Sequence, residues 1–363
     1  MKKTKNTKRA KENSELLTQQ DNIDTSDEKK VGEDRSEEDR STPEEFSQEL
    51  VKVKTSYVEE MLLDINKVSQ KAFNTEVNIA LYQDDPIKIA MERTGSNKEI
   101  NTFVAINFDS DGMKEKGLSI SGTEKLTQFD RIVLDAINSL FIEGHNAYIT
   151  PQMILHVITG DMNRRITPNY AKEINNSLIK LLFTHIIIKA NDEAIMYPQL
   201  KNFEYHDTIV PGKMIKAQLN GTEVTCVHIR DVPPLYLYAS KKNQISKIDL
   251  SLIKLPFAKD AKENKEHMTL LHYLLRRIIA LKSLSNHIKY NTIYQELQEL
   301  GYASATKQKK LKIRKKVKEI LDAWKGALFG DIELVDYVEE KDGQVPTGVI
   351  IKFIIKKKIV QIE

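Results

Sequence analysis

The chain has 363 residues, 40% of them hydrophobic, a single cysteine (Cys226) and a formal net charge of +3. This size allows two or three domains with real cores, and a lone cysteine excludes an internal disulfide or a cysteine-built zinc site and fits a reducing cytoplasm. No run of about 18 apolar residues is present to span a membrane, and no apolar stretch follows the basic start MKKTKNTKRAKENSE, so neither a membrane segment nor a secretory signal is expected.

Residues 1–45 hold ten basic against thirteen acidic residues, −3, so the remainder carries +6. The basic head (Lys2 to Lys11) and the acidic stretch (Asp21 to Glu45) offer too little apolar surface to offset ordering entropy, which predicts a disordered tail, either a solubilising arm or a docking segment. Beyond it, Val58, Met61, Leu62, Ile65, Val68 and Ala72 have helical spacing. Short strands are expected at Val77 to Leu81, Ile87 to Met91 and Phe103 to Phe108, punctuated by Asp84-Asp85-Pro86 and Thr94-Gly95-Ser96-Asn97. Residues 46–122 therefore read as a small N-terminal α+β extension.

The pattern sharpens from Leu126. Leu126, Phe129, Val133, Ala136, Ile137 and Leu140 form one helical stripe, with Thr127 as its cap and Asp130 three residues on. Thr150-Pro151 and Thr167-Pro168 each combine a good N-cap with a good first helical residue, and Gly160 lies between them. That repeated start signal is how a helix-turn-helix reads. The third helix is expected to bury Ala171, Ile174, Leu178, Leu181 and Leu182 and to show Asn169, Lys172, Asn176 and Lys180 on its other face. His185 to Lys189 and Ala194 to Tyr197, around Asn191-Asp192-Glu193, read as a hairpin wing. A second hairpin is centred on Asn220-Gly221, the strongest short hairpin signal. These elements make a module over 123–232.

A linker is expected at 233–256, and the order then repeats over 257–363. Met268 to Leu281 reads as a helix, and Asn291 as the cap of a short helix through Ile293 and Leu297. Thr306 opens a long helix with Ile313, Val317, Ile320, Leu321 and Trp324 on one face. Ile332 to Val338 and Thr347 to Ile355 flank Asp342-Gly343 as a second wing. Three helices and a hairpin, twice, predict an α+β chain of two tandem winged-helix domains.

Signatures of catalysis are absent. Gly112 and Gly117 have the spacing of a phosphate loop but lack the following Lys-Ser/Thr. His145, His156, His206, His228, His267 and His272 are scattered, with no paired-histidine metal motif, and read as surface or packing residues. The acidic pairs Glu59-Glu60 and Asp84-Asp85 read as solvated. No enzyme activity, metal or cofactor is expected.

The informative signal is charge. Lys307, Lys309, Lys310, Lys312, Arg314, Lys315, Lys316 and Lys318 fall within twelve residues that contain no acid. On a helix seated by Val317 and Trp324, Gln308, Lys312 and Lys315, with Lys316 more laterally, point away from the core, toward a DNA major groove. Lys310, Arg314 and Lys318 flank that face within reach of phosphates. Eight cations without an acid repel one another unless an anion relieves them. In the first module Asn169, Lys172 and Asn176 read either as adenine-edge contacts or as plain surface, and Arg164-Arg165 as a phosphate grip.

The run Leu126-Thr127-Gln128-Phe129-Asp130-Arg131-Ile132-Val133-Leu134-Asp135-Ala136, then Tyr148-Ile149-Thr150-Pro151, then the basic helix and wing, resembles replication initiators of theta-type plasmids and related phage or integrative elements. The resemblance covers roughly residues 120–360. It implies a dimerising first winged-helix domain, a second one that reads origin repeats in double-stranded DNA, and recruitment of host helicase or initiator, all without hydrolysis. A transcriptional regulator of a mobile element and a protein-interaction adaptor that touches no DNA are the other readings the sequence leaves open.

Overall fold

The computed structural model describes residues 51–52, 70–73, 87–92, 99–121, 124–219, 222–254, 265–282, 286–297, 301–302 and 304–356, all within the unit Gln48–Glu363. The tail at 1–45, the apolar positions Val58 to Val68 and the strand expected at 77–81 lie outside the described residues. The architecture is α+β, helices packed with small sheets.

Strands β1 (Val51–Lys52) and β2 (Gln70–Phe73) come first, then β3 (Ile87–Glu92) and β4 (Glu99–Phe108). Ala72, expected in a helix, lies in β2 instead, paired with a strand far along the chain; such non-local pairing overrides local spacing. Helix α1 (Ser110–Glu115) starts at Asp109, whose carboxylate accepts from the Gly112 N–H at 2.9 Å. The glycine pair that mimics a phosphate loop thus lies within and just past a short helix.

Helix α2 (Gln128–Asn138) opens on a reciprocal cap between Thr127 and Asp130 and runs on into a π-helical turn at Ser139–Glu143. After β5 (Tyr148–Ile149), α3 (Pro151–Thr159) and α4 (Pro168–Phe183) begin at the two Thr-Pro pairs, each threonine accepting from the backbone N–H three residues on. Phe129, Ile132, Val133, Ile137, Ile154, Val157, Ile174, Leu178 and Leu181 fill the core between the three helices. Gly160 ends α3 with φ 62°, and a Cβ there would lie 2.4 Å from the Leu250 carbonyl oxygen. Both the left-handed backbone and the close approach require glycine.

Strand β6 (Thr184–Lys189) follows α4, but Ala194 to Tyr197 is not its partner. Residues Asn191–Ile195 form a 3-10 turn. Glu193 turns inward there, accepting from the Thr102 and Tyr238 hydroxyls and meeting Lys242 Nζ at 2.8 Å. These partners are remote in sequence, so local pattern could not reveal them. Strand β6 pairs instead with β4 and with β7 (Glu204–Thr208), in a sheet of order β3-β4-β6-β7.

The hairpin that completes the first half is the later one, β8 (Gly212–Leu219) with β9 (Thr222–Ile229). Strand β5 pairs with β9, and β1 adds to β8 in parallel. Residues 184–211 are therefore an insertion between α4 and this hairpin.

Of the segment read as a linker, 233–256, the described residues 233–254 are built into the structure. Helix α5 (Pro234–Lys241) places Leu235, Tyr238 and Ala239 in the first core, and β10 (Ile245–Ile248) pairs with β2. A 3-10 turn at Leu250–Leu252 follows, and Ile248 and Ile253 belong to the second core.

That second core holds α6 (Lys265–Ile279), β11 (His287–Lys289), α7 (Tyr290–Glu296), α8 (Lys307–Ala323), β12 (Leu328–Phe329), β13 (Ile332–Asp342) and β14 (Val345–Ile355). Helix α7 starts at Tyr290, with no side-chain cap at Lys289, so Asn291 lies inside it rather than capping it. Trp324 is fully buried, edge-on to Phe329, and its indole N–H donates to the Leu252 carbonyl at 2.8 Å. Strand β11 pairs with β14, where Gly348 leaves room: a Cβ would lie 2.6 Å from the Ile288 carbonyl. Each half thus has the same order: helix, short strand, two helices, then a hairpin whose second strand pairs with the short strand.

A polar seam joins the halves. On α2, Asp135 meets Arg131 at 3.3 Å and, from α6, Arg276 at 3.6 Å. Arg276 also donates to Gln128 Oε1 at 3.0 Å, while the Gln128 amide meets Glu296 of α7. His272 of α6 bonds the Ile158 carbonyl at 3.1 Å.

Candidate nucleic-acid interface

Helix α8 is held by its apolar face, Ile313, Val317, Ile320 and Leu321, all at or near zero exposure. Thr306 caps it, accepting from the Lys309 N–H at 3.4 Å. Lys307, Gln308, Leu311, Lys312 and Lys315 are exposed along the outer face. Charge along that face is polarised: the cations occupy its first part, and Glu319 and Asp322 are exposed near its end. Leu311, 59% exposed among them, was missed by sequence reasoning; an apolar side chain there suits a thymine methyl group.

The expectation that these cations lack internal relief is corrected, and the partners fall into two kinds. Carboxylates neutralise some: Lys316 meets Glu266 at 3.2 Å, Lys318 meets Glu339 of the β13–β14 hairpin at 2.7 Å, and Lys315 comes within 3.7 Å of Glu319. Tyrosines hold others. Lys309 Nζ lies 4.1 Å from the centre of the Tyr302 ring and Lys310 Nζ 5.2 Å from that of Tyr294. Arg314 donates through Nε to Tyr294 Oη at 2.9 Å, and its guanidinium lies 5.3 Å from the Tyr290 ring centre. Among the described residues, Lys307 and Lys312 have no such partner. The one sequence signal for the tyrosines is the spacing of Tyr290 and Tyr294, one helical turn apart.

The first half is less cationic at the corresponding place. Arg165, Asn169 and Lys172 are exposed around the start of α4, and the Arg164 guanidinium lies 5.7 Å from the Tyr170 ring centre. Gln152 ties the turn that carries the two arginines, donating to the Arg164 carbonyl at 2.6 Å and accepting from the Ile166 N–H at 2.9 Å. Asn176 is engaged locally, its amide donating to Ser121 Oγ at 2.7 Å. Lys180, read as an outward residue, is buried: its ammonium meets Asp130 at 3.0 Å and donates to the Lys125 carbonyl at 3.1 Å. Asp130 caps α2 and also accepts from Ser177 at 2.5 Å. The cleft above this group, about 320 Å³, is lined by Asn169, Lys172, Asn176 and Asp130 among others.

Elsewhere the ionisable groups serve packing. Burial pushes the His272 imidazole down to about 3 and that of His267 to about 4, Lys316 adding to the latter. Burial also lifts the Cys226 thiol to about 11, which leaves it a protonated, unreactive strand residue. Among the described residues, no three His, Cys, Asp or Glu side chains come together as a metal site, and no helix is long and apolar enough to cross a membrane.

No protein-family model matches the chain, and no curated protein does. Among solved structures, the chain is similar to a crystal structure of domains 2 and 3 of RctB, at 10% identity and a TM-score of 0.37, covering 74% of this chain and 91% of that one. A second structure of RctB domains 2-3 matches at 11% identity and a TM-score of 0.35, over 81% and 96% of the two chains.

Proposed function

We propose that the chain is a sequence-specific double-stranded-DNA-binding protein of two tandem winged-helix modules, acting in the cytoplasm without enzymatic activity. The observation that carries this reading is α8: a firmly seated helix whose exposed N-terminal face is cationic and polar, with a long hairpin tied to it through Lys318 and Glu339. Such a helix enters a major groove with its first turns leading, and the adjacent hairpin lies along the backbone as a wing. In the first half the wing is β8–β9, and Arg164, Arg165, Asn169 and Lys172 supply the weaker contact.

Within that class we read the chain as a replication initiator of a plasmid or mobile element. It binds repeated origin sites, recruits host helicase or initiator, and dimerises through its first module. Residues 126–136 and 148–151 support this through their resemblance to such initiators. Footprinting on sites selected from random DNA tests it. Tandem direct repeats beside an AT-rich stretch support initiation; a single inverted repeat over a promoter assigns the same modules to transcriptional control. Absence of DNA binding, or binding indifferent to salt, would overturn the whole reading in favour of a protein-interaction adaptor.

A further inference from the structure

The cations of α8 differ in what their partners do to their charge. A carboxylate cancels it, as at Lys316 and Lys318. An aromatic ring fixes the cation in place and leaves the charge intact, because the ring offers a quadrupole and no net charge. Tyr290 and Tyr294 are 1% and 4% exposed, so their rings are anchored in the second core. Between them they hold Arg314 by a face contact and a hydrogen bond to Nε, and Tyr294 also underlies Lys310. With Nε–H taken by Tyr294, the terminal amino groups of Arg314 carry its remaining donors.

We infer that Tyr290 and Tyr294 are positioning residues that set Arg314 and Lys310 as a ready-made grip for one stretch of the DNA phosphate backbone. This rests on the reading of α8 as the DNA-facing helix. Arginine and lysine side chains lose much rotamer freedom when they are fixed on a ligand. Here the rings and the hydrogen bond impose that order during folding, so binding starts from a preorganised flank. The same logic divides the cations of α8: Arg314 and Lys310 contribute to phosphate binding, whereas Lys316 and Lys318, already paired, hold the fold together.

The test is a double-mutant cycle on the full chain with a mixed-sequence DNA duplex, measuring affinity and its salt dependence. Tyr294→Phe keeps the buried ring and removes only the hydroxyl; Arg314→Gln keeps a polar stem and removes the charge. Arg314→Gln is expected to lower the salt slope by about 0.9. Tyr294→Phe is expected to weaken binding roughly three- to tenfold at a temperature where the protein is still fully folded, and to have no further effect once Arg314 is already Gln. If Tyr294→Phe weakens binding equally in both backgrounds, or not at all, the positioning role is overturned while α8 remains on DNA. An Arg314→Gln protein with an unchanged salt slope overturns the DNA-facing reading itself, and the inference with it.

Discussion

At the residue scale, exposure separates the outward residues of α8 from those that seat it. Gln308, Lys312 and Lys315 were legible as outward residues because the apolar stripe from Ile313 to Trp324 fixes the helix rotation at 100° per residue, and all three are exposed. Lys315→Ala should relax preference at one base position, with stability altered by less than about 0.5 kcal/mol; selection profiles and melting curves check both. Equal weakening at all sequences would make Lys315 a phosphate contact instead. Trp324→Ala should do the opposite. It removes a fully buried indole and its hydrogen bond to Leu252 and costs about 3–5 kcal/mol, so binding fails at every sequence through loss of the fold. Lys180 shows where such reading stops. Its position on α4 looked like surface, but Asp130, fifty positions earlier, draws it inside, and periodicity carries no information about a partner that distant.

At the scale of elements, punctuation was the readable signal. The Thr-Pro pairs open α3 and α4 as expected, and Asn220-Gly221 lies between β8 and β9. The hairpin expected directly after α4 does not form, because β6 pairs with β4 and β7, and the β8–β9 hairpin comes later in the chain. The insertion at 184–211 separates α4 from that hairpin, and its strands find partners in β4 and in each other. Gly160 is where local and long-range demands coincide. Gly160→Ala should cost at least about 1–3 kcal/mol, since φ stays positive and the added carbon meets the Leu250 carbonyl. Thermal unfolding of the variant measures this, and a cost under 0.5 kcal/mol, on the order of an ordinary surface change, would show that α3 does not end against that turn.

At the scale of the molecule, the seam between the halves is made of ionisable groups, which ties it to pH. His272, at that seam, has its folded pKa pushed down to about 3, and His267 to about 4, both chiefly by burial. The unfolded value lies near 6.5. Below it the unfolded chain takes up protons that the native state refuses, so each histidine removes stability by about 1 kcal/mol per pH unit between pH 6.5 and its folded value. Asp135 and Glu296, raised by burial, act in the opposite direction as they protonate. The comparison with His272→Gln isolates the one group. The stability gap between wild type and variant should shift in the variant's favour by about 2 kcal/mol from pH 7 to pH 5. A gap that stays constant would mean that His272 is not held neutral.

The segment from Pro234 to Ile253 contributes to the cores of both halves instead of hanging between them. Packed in this way, it is expected to act as a spacer bar and not as a tether. If both modules touch one duplex, the bar dictates how far apart, and at what angle around the helix, their two targets must sit. Adding about five base pairs, half a helical turn, between the half-sites should turn one target to the far side of the DNA and abolish simultaneous engagement, leaving the footprint of a single module. A flexible tether would tolerate the insertion with little change in affinity, so binding across a spacer series reads the stiffness of this bar directly.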